Sequence, residues 1–493
     1  MKIKQIIAKA LAKSNHRKIL LWKDNPIETQ DKVFQFLIEQ GAKTSFGLDH
    51  QFKSIKNHSD FTKQVPVRTY EEFDRYIPEM VNGKQDVLWP GKPLYLAKTS
   101  GTTAGAKYIP LTKESLKHQI DAAKSALLNY IYTTGKSDYV DGKMIFLQGS
   151  PELDYSKAIP SGRLSGIVAN YVPSYLQKNR LPSHTTNCID DWETKVDAVV
   201  NETLNQDMRL ISGIPSWVQM YFEKLQASKD GEAIKNIFPN FNLFVYGGVN
   251  YEPYKAKFEQ LIGKPVDSIE LFPASEGFFA FQDDIHAKGM LLLLNSGIFY
   301  EFIPVDEYHN ENPTRLTLKD VELDKDYALI ISTNAGLWAY SIGDLVRFTS
   351  LKPYKVVVSG RIKHFTSAFG EHVIAYEVEQ ALKHAIETHG GSVREFHVAP
   401  QVNPIKGLPY HEWCIEFETE PKDINQFATC IDKKMQILNP YYFDLRDGNI
   451  LREVVITKIP NKGFNNYMKS KGKLGGQNKV PRLANDRKIA NQL

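Results

Sequence analysis

Short apolar runs that end in glycine or polar residues recur up to about residue 360, with helical patterns between them. The clearest are KMIFLQGS at 143–150, MRLISGIP at 208–215, NLFVYGGV at 242–249 and SIELFPASEG at 268–277. Runs of this length between turn residues predict strands buried on both faces. Pro215 suits a first helical turn, and the predicted helix after it carries Trp217, Met220, Tyr221 and Leu225 on one face. The alternation predicts an α/β architecture with buried β-sheets and with ligands at the strand ends.

The pattern changes after about residue 362. An amphipathic helix predicted over 373–389 stops at Gly390 and Gly391, and its apolar positions are Ile374, Val378, Ala381, Leu382, Ala385 and Ile386. VREFHVAP predicts a strand, and HEWCIEFET predicts a half-exposed strand because its apolar and polar residues alternate. A helix around FATCIDKKMQIL and a strand at EVVITKIP complete an α-β-β-α-β series. We therefore expect two domains, a large one over 1–361 and a small α+β one over 362–493.

The N-terminal segment carries charges every few residues, so it lacks the unbroken apolar core of a signal peptide. Apolar residues at helical spacing predict a helix packed on the protein body, although a transit peptide or a membrane-surface helix has a similar pattern. These residues are Ile3, Ile6, Ile7, Ala10 and Leu11. The most apolar run, MLLLL at 290–294, is too short to span a bilayer. We expect a soluble protein with no membrane partner.

The composition narrows the class of protein. A chain of 493 residues with 42% hydrophobic and 24% charged residues is typical of a globular protein with more than one domain. A net charge of +4 gives no support to a nucleic-acid partner. The three cysteines (Cys188, Cys414 and Cys430) are widely spaced and odd in number, so they predict neither a disulfide framework nor a zinc site. This cysteine usage favours a reducing cytoplasm.

The most informative motif is KTSGTTAGAKYIP at 98–110. Hydroxyls and glycines precede Lys107, namely Thr99, Ser100, Gly101, Thr102, Thr103 and Gly105. Glycines let backbone N–H groups approach an anion, and the hydroxyls and the ammonium add donors for phosphate oxygens. The spacing is not that of a Walker A motif, and Tyr108 stands where that motif requires a hydroxyl residue after the lysine. A flexible surface loop is the alternative, since such residues are common in loops.

Two acidic motifs follow. In PASEG, Glu276 comes after the predicted strand SIELF, where its carboxylate could hold Mg²⁺ beside a triphosphate. The alternative is a helix N-terminus capped by Ser275. In AYSIGDLVRF, Asp344 follows Gly343 and could accept hydrogen bonds from the two hydroxyls of a ribose. A Gly-Asp turn between two strands is the alternative there.

Two basic segments complete the candidates. In SGRIKHFTSAFGEHV, Arg361 and Lys363 could reach a ribose or a phosphate, unless the segment is a solvated connector. The C-terminal run MKSKGKLGGQNKVPRL contains Lys469, Lys471, Lys473, Lys479 and Arg482. It could bind an anionic polymer or membrane, or it could form a glycine-hinged loop that delivers one lysine to a phosphate. No aromatic residues interleave with these lysines as stacking platforms, which weakens the case for nucleic acid.

In this order, the five segments resemble the adenylate-forming superfamily and, more closely, its Gretchen Hagen branch of acyl-acid amido synthetases, which has plant and bacterial members. KTSGTTAGAKYIP resembles the phosphate loop of that branch, PASEG its Ser-Glu motif and YSIGD its ribose-binding aspartate motif. VYGGVNY, with Gly247 and Gly248, resembles its adenine-side segment, and GGQNKVPR resembles its Gln-x-Lys-x-Pro-Arg ending. The correspondence runs over most of the chain.

The resemblance implies a two-step ligase that uses ATP and Mg²⁺ to adenylate a small carboxylic acid and then transfers the acyl group to an amino acid. Lys107 and Lys479 would be its catalytic lysines, and Glu276 would hold the metal. The ATP-binding residues would be Thr99, Ser100, Gly101, Thr102, Thr103, Gly105, Gly247, Gly248, Phe272, Ala274, Ser275, Glu276, Asp344 and Arg361. By the same resemblance, the small C-terminal domain would rotate about a hinge near Arg361–Lys363 between half-reactions. A monomer is compatible with the sequence.

Other functions remain open at this point. An acyl-CoA synthetase would share the adenylation step and pass the acyl group to a thiol. A non-catalytic protein that binds a nucleotide or an acyl ligand would keep the fold without the reaction. An aromatic acyl pocket is expected around 114–130, Tyr171 and Trp217, and the alternative is that these side chains belong to the core.

Overall fold

The computed structural model describes residues 3–99, 107–171, 177–189, 191–248, 251–362, 373–402, 404–447, 450–474 and 479–493. The chain divides into two compact units. The first contains residues 1–249 and 262–357, and the second contains residues 250–261 and 358–493. The domain boundary expected near Arg361–Lys363 stays a prediction, and Lys363 lies outside the described residues.

The helices and strands alternate along most of the described chain. The helices are α1 (Ile3–Lys23), α2 (Pro26–Gly41), α3 (Ser45–Asp49), α4 (His58–Gln64), α5 (Tyr76–Val81), α6 (Lys113–Thr134), α7 (Leu164–Ala169), α8 (His184–Asn187), α9 (Trp192–Thr203), α10 (Pro215–Ala227), α11 (Ile234–Ile237), α12 (Glu252–Ile262), α13 (Ala375–His389), α14 (Ile424–Leu438), α15 (Pro440–Asp447) and α16 (Gly463–Ser470). Short 3-10 helices lie at Phe52–Ser54, Tyr70–Phe73, Asp138–Asp141, Val305–Glu307 and Ala490–Gln492.

The strands are β1 (Tyr95–Thr99), β2 (Lys107–Leu111), β3 (Lys143–Phe146), β4 (Ser161–Gly162), β5 (Arg180–Leu181), β6 (Met208–Ser212), β7 (Leu243–Gly247), β8 (Asp267–Ala274), β9 (Gly277–Phe281), β10 (Met290–Leu292), β11 (Ile298–Pro304), β12 (Asp326–Thr333), β13 (Tyr340–Leu351), β14 (Tyr354–Arg361), β15 (Ser392–Gln401), β16 (Tyr410–Thr419) and β17 (Val455–Lys458). The predicted α/β fold class with buried sheets and a separate C-terminal unit is confirmed.

One large mixed sheet organises the first unit. Its strand order over the described residues is β11-β12-β13-β14-β10-β9-β8-β7-β6-β3-β5. The strands from β8 to β5 run parallel to one another, as expected for strands joined by helical crossovers. All four apolar runs predicted as strands lie in this parallel half, as β3, β6, β7 and β8. A smaller sheet, in the order β2-β1-β4, carries the two ends of the glycine-rich motif.

The sequence predicted the buried face correctly for one helix of this unit, α10, and wrongly for another, α1. Helix α10 begins at Pro215 and buries Trp217, Tyr221 and Leu225, as predicted. Helix α1 forms as predicted, but the wrong face was assigned to the protein body. The isoleucines near its start are exposed, Ile3 by 76% and Ile7 by 54%, whereas the buried positions are Ala8, Ala12, Ile19 and Trp22. The first half of the helix therefore packs through small residues, and the second half packs through the larger Ile19 and Trp22.

The second unit has the predicted order of elements, with additional helices. Strands β15, β16 and β17 form its sheet, and α13 and α14 pack against it through a common apolar core. Helices α15 and α16 were not predicted. Strand β16 is not half-exposed: Cys414 and Glu416, on the face expected to be polar and solvated, are each only 1% exposed. The carboxylate of Glu416 accepts hydrogen bonds from the N–H groups of Lys462 and Phe464, which explains how that face can be covered.

Candidate active site

Glu276 lies at the tip of a tight hairpin in the large sheet. Ala274 of β8 pairs with Gly277 of β9, so Ser275 and Glu276 alone form the turn. The alternative of a helix capped by Ser275 is therefore wrong. The side chain of Gln119 on α6 donates to the Ala274 carbonyl at 2.9 Å, which fixes the base of the turn. The hairpin thus holds the half-buried Glu276 carboxylate at the carboxyl end of β8.

Lys107 begins strand β2, opposite Thr99 of β1 in the antiparallel register. Its ammonium lies 3.4 Å from Oε1 of Glu71 and 5.1 Å from the centre of the Tyr70 ring. The Lys107 side chain is 21% exposed. The residues between the two strands that were predicted to bind phosphate lie outside the described residues, namely Ser100, Gly101, Thr102, Thr103 and Gly105. The structure therefore fixes both ends of the candidate loop, and the binding role of the loop stays a prediction.

Tyr340, at the start of β13, bonds Glu276 and lies near Glu71, which pairs with Lys107. Its hydroxyl donates to Oε1 of Glu276 at 3.4 Å, and its side chain is 2% exposed. Burial, together with the negative charges of Glu276 and Glu71, holds the pKa of Tyr340 well above its usual range. Tyr340 is therefore a neutral donor at physiological pH. Two carboxylates from separate segments of the chain thus act on this tyrosine, and one of them, Glu71, also pairs with Lys107.

Asp344 lies inside strand β13, so the alternative of a turn between two strands is wrong. The pairing of β12 with β13 shifts between Ala328 and Ile330, which places Gly343 and Asp344 at a β-bulge. Gly343 has φ +82, a conformation that a residue with a side chain rarely adopts. Bulges re-aim side chains and are frequent beside active sites. Asp344 is 5% exposed, and a buried carboxylate at a bulge is a candidate functional group.

The other nucleotide-binding candidates of the first unit lie on β7 and β8. Gly247 ends β7 opposite Leu271, where a Cβ would stand 2.5 Å from the Leu271 carbonyl oxygen. Phe272 is buried and stacks edge-on against Phe279 at 5.0 Å. Gly247, Gly248, Phe272, Ala274 and Ser275 thus share one end of two neighbouring parallel strands. This is the edge where α/β sheets bind ligands.

The expected acyl-pocket residues lie in different surroundings. Trp217 is 4% exposed and packs against Trp192 at 4.7 Å, so it belongs to the core. Tyr171 is 39% exposed, and its hydroxyl donates to that of Tyr95 at 3.1 Å. Residues 114–130 lie on α6.

In the second unit, Lys479 is exposed and the tail that follows it is firmly held. The Val398 N–H donates to the Arg482 carbonyl and the Ala484 N–H donates to the Val398 carbonyl, each at 2.9 Å, so the tail extends the edge of β15. The Arg482 guanidinium pairs with Glu395, and its Nη2 donates to the Tyr254 hydroxyl at 2.7 Å. Arg361, in the same unit, ends β14 and is exposed. The roles of Lys479 and Arg361 toward a nucleotide stay predictions.

Residues that the sequence reasoning missed are Tyr70, Glu71 and Tyr340. One local signal was available: Thr69 and Glu72 have the spacing of a capping box, and Glu72 accepts from the Thr69 N–H at 2.6 Å. That signal predicts a helical turn over the RTYEEF segment. It does not predict what the turn faces.

No preformed metal cage occurs within the described ranges, where groups of three or more His, Cys, Asp or Glu side chains suited to one ion are lacking. Within the same ranges, no helix is both long enough and apolar enough to cross a bilayer.

Three sequence profiles match the chain. The GH3 family N-terminal domain matches residues 15–171, the GH3 family central domain residues 291–361 and the GH3 family C-terminal domain residues 376–488. Together they cover more than half of the chain, which therefore belongs to the GH3 family. The resemblance inferred from the five motifs is confirmed.

Curated relatives are distant in sequence. Jasmonoyl–L-amino acid synthetase JAR4 of Nicotiana attenuata is 20% identical over 387 residues, which are 64% of this chain and 66% of the relative. Indole-3-acetic acid-amido synthetase GH3.15 of Arabidopsis thaliana is 23% identical over 401 residues, 66% of each protein. The alignments thus span just under two thirds of the length of these two relatives.

Solved structures agree over a larger share of the chain. The GH3.15 acyl acid amido synthetase has a TM-score of 0.77 at 15% identity, covering 94% of this chain and 93% of that one. A 2-hydroxyisobutyryl-CoA ligase, in a complex with its acyl-AMP, has a TM-score of 0.60 at 12% identity, covering 94% and 90%. At these identities the likeness establishes the fold.

Proposed function

We propose that this chain is an ATP-dependent acyl-acid amido synthetase. A carboxylate oxygen of a small acid attacks the α-phosphorus of ATP, the bond from that phosphorus to the bridging oxygen breaks, and pyrophosphate leaves. The amine nitrogen of an amino acid then attacks the acyl carbon, the bond to AMP breaks, and the nitrogen loses a proton. Membership of the GH3 family supports this proposal, as do the names of the relatives.

The observation that supports the proposal is the link from Glu276 to Tyr340, whose surroundings include Glu71, the carboxylate that pairs with Lys107. A reaction of this kind needs charge neutralisation and positioning of the reactants rather than a protein nucleophile. Lys107, with the loop before it, would bind the β- and γ-phosphates. Lys479 would stabilise the charge that develops on the α-phosphate. Asp344 would hold the ribose, Gly247 and Gly248 would face the adenine, and Arg361 would contact the nucleotide.

Mg²⁺ fits the residues at this site. Proteins usually hold this ion through one or two carboxylates, and substrate phosphates and waters fill the other positions. Glu276 offers one carboxylate, and the described residues around it do not form a larger cage. Bound there, Mg²⁺ would neutralise part of the negative charge of the triphosphate. We also propose that the protein is cytoplasmic and that its partners are small molecules, a carboxylic acid and an amino acid.

A carboxylate-dependent exchange of labelled pyrophosphate into ATP tests the first half-reaction. Glu276→Gln, Lys107→Met and Lys479→Met should each lower the rate by roughly 10²–10³-fold, the usual effect of one such electrostatic group. Lys473→Met, in the same basic tail as Lys479, is the matched control and should stay near the wild-type rate. Near-normal exchange in one of the three variants would reject the role of that residue.

The acceptor is tested in the second half-reaction. With an active acid, each amino acid and CoA are supplied separately, and amide or thioester is measured by mass spectrometry. We expect an amide. A thioester would instead identify an acyl-CoA synthetase, and the lack of exchange with every acid would favour a non-catalytic binding protein.

A further inference from the structure

Residues 68–73 form a short segment that is tied to the start of β13 by its backbone. The Arg68 N–H donates to the Ala339 carbonyl at 3.0 Å, and the Ser341 N–H donates to the Arg68 carbonyl at 2.8 Å. These two bonds form a parallel bridge between Arg68 and Tyr340. The Glu72 carboxylate accepts from both the N–H and the hydroxyl of Thr69, which closes the 3-10 turn that follows. The position of the segment relative to Tyr340 is therefore fixed without help from Tyr70 or Glu71.

The same segment is also tied to the strand that carries Lys107. The Tyr70 hydroxyl accepts a hydrogen bond from the Tyr108 N–H at 2.8 Å, which anchors the first residues of β2. Burial raises the pKa of this hydroxyl, so it remains neutral. The Tyr70 ring lies beside the Lys107 ammonium. Oε1 of Glu71 lies 3.4 Å from Nζ of the same lysine. An aromatic ring and a carboxylate thus hold Lys107, the lysine that is proposed to bind the β- and γ-phosphates of ATP.

We infer that Glu71 is a positioning residue for Lys107, held in place by the 68–73 segment. This inference rests on the proposed function, in which Lys107 binds the β- and γ-phosphates. A lysine side chain loses considerable rotamer freedom when it is ordered. Because Glu71 and Tyr70 already order Lys107 in the free protein, the side chain has less rotamer freedom left to lose when the transition state forms.

The carboxylate of Glu71 has an opposite effect on the ground state. It is negatively charged, as the phosphates are, so it competes with them for the same ammonium. Removing the charge in Glu71→Gln should therefore lower kcat without raising KM for ATP. The pair is partly exposed, with side-chain exposures of 21% and 42%, so the fall in kcat should be about two- to fivefold. General damage to the fold would instead raise KM or lower the melting temperature.

A double-mutant cycle measures whether Glu71 acts through Lys107. Glu71→Gln, Lys107→Met and the double variant are compared in pyrophosphate exchange. We expect Glu71→Gln to have no further effect once Lys107 is replaced, and Glu71→Asp, which keeps the charge, to restore part of the rate. Glu79→Gln is the matched control, since it breaks a 2.8 Å pair with Lys84 elsewhere in the unit. Multiplicative effects of Glu71→Gln and Lys107→Met would overturn the inference.

A second measurement does not depend on ligase activity. Lys107 is labelled with an amine-reactive ester and quantified by peptide mass spectrometry, with the exposed Lys32 as internal reference. Glu71→Gln should raise the Lys107 labelling rate about two- to fivefold, because the amine loses its partner. An unchanged rate would overturn the inference. If the wild-type chain shows no exchange with any acid, the proposed function fails, whereas the labelling ratio still tests the pair.

Discussion

Removal of a single hydroxyl, in Tyr340→Phe, tests how Glu276 is held. The ring would remain against Phe73, 6.1 Å away between ring centres, so the core around it should be preserved. The O–H donates to Glu276 across 3.4 Å, which is long compared with the optimum of about 2.7–2.8 Å. Hydrogen bonds to charged groups contribute about 1.5–3 kcal/mol. Because this one is long and Glu276 is half-buried, we expect about 1 kcal/mol, or about fivefold in an equilibrium constant.

The assay is a Mg²⁺ titration of the binding of a fluorescent ATP analogue. In Tyr340→Phe, the Mg²⁺ concentration for half-saturation should rise about fivefold, because the Glu276 carboxylate is less well oriented. Binding of the analogue without Mg²⁺ should not change. Tyr308→Phe is the matched control, since it removes a hydroxyl that donates to Ser341 Oγ at 2.8 Å. The reasoning is refuted if the Mg²⁺ dependence is unchanged, or if metal-free binding weakens equally.

Two further predictions concern ion pairs that stabilise the units. Arg315→Met leaves His58 as the remaining cationic partner of the fully buried Glu301, so it should lower the free energy of unfolding by about 3–5 kcal/mol. For a unit of about 345 residues, this corresponds to a melting temperature lower by about 4–7 °C. Burial opposes ionisation of Glu301, but Arg315 and His58 outweigh it and lower its pKa, so the stabilisation exists near neutral pH and is lost as pH falls below about 4.5. By calorimetry, the difference in melting temperature between the wild type and Arg315→Met should be smaller at acidic pH than at neutral pH. The same difference at both pH values would contradict this prediction. Arg482→Met should raise amide hydrogen exchange at Val398 and Ala484 by more than about tenfold, because the tail loses the Glu395 pair, whereas equal protection would contradict the anchoring role.

The strands and helices that the sequence predicted correctly are those whose surroundings are uniform. Four strands, β3, β6, β7 and β8, each lie between two other strands of the sheet. Their sequences are continuous apolar runs, so the pattern of apolar residues alone was sufficient to predict them. Helix α1 shows where the same logic fails. Its buried face includes Ala8 and Ala12, while Ile3 and Ile7 are exposed, and hydrophobicity cannot indicate that close packing of small residues decides the contact.

At the candidate site, the sequence identified residue types and missed how they are held. Glu276 and Asp344 were found by motif, but their settings, a two-residue hairpin and a β-bulge, depend on strand pairing that is not local. Tyr70 and Glu71 were missed because their significance depends on a backbone bridge to Tyr340, far along the chain. Long-range pairing of this kind leaves no periodic signal in the sequence around either partner.

The most direct test of the proposed function is to supply ATP, Mg²⁺, an acid that supports exchange, one amino acid and CoA, and to measure AMP and the acyl products together. We predict equal amounts of AMP and of the amide, with both lost in Glu276→Gln. AMP formation that yields only a CoA thioester, or that proceeds without any carboxylic acid, would contradict the proposed function.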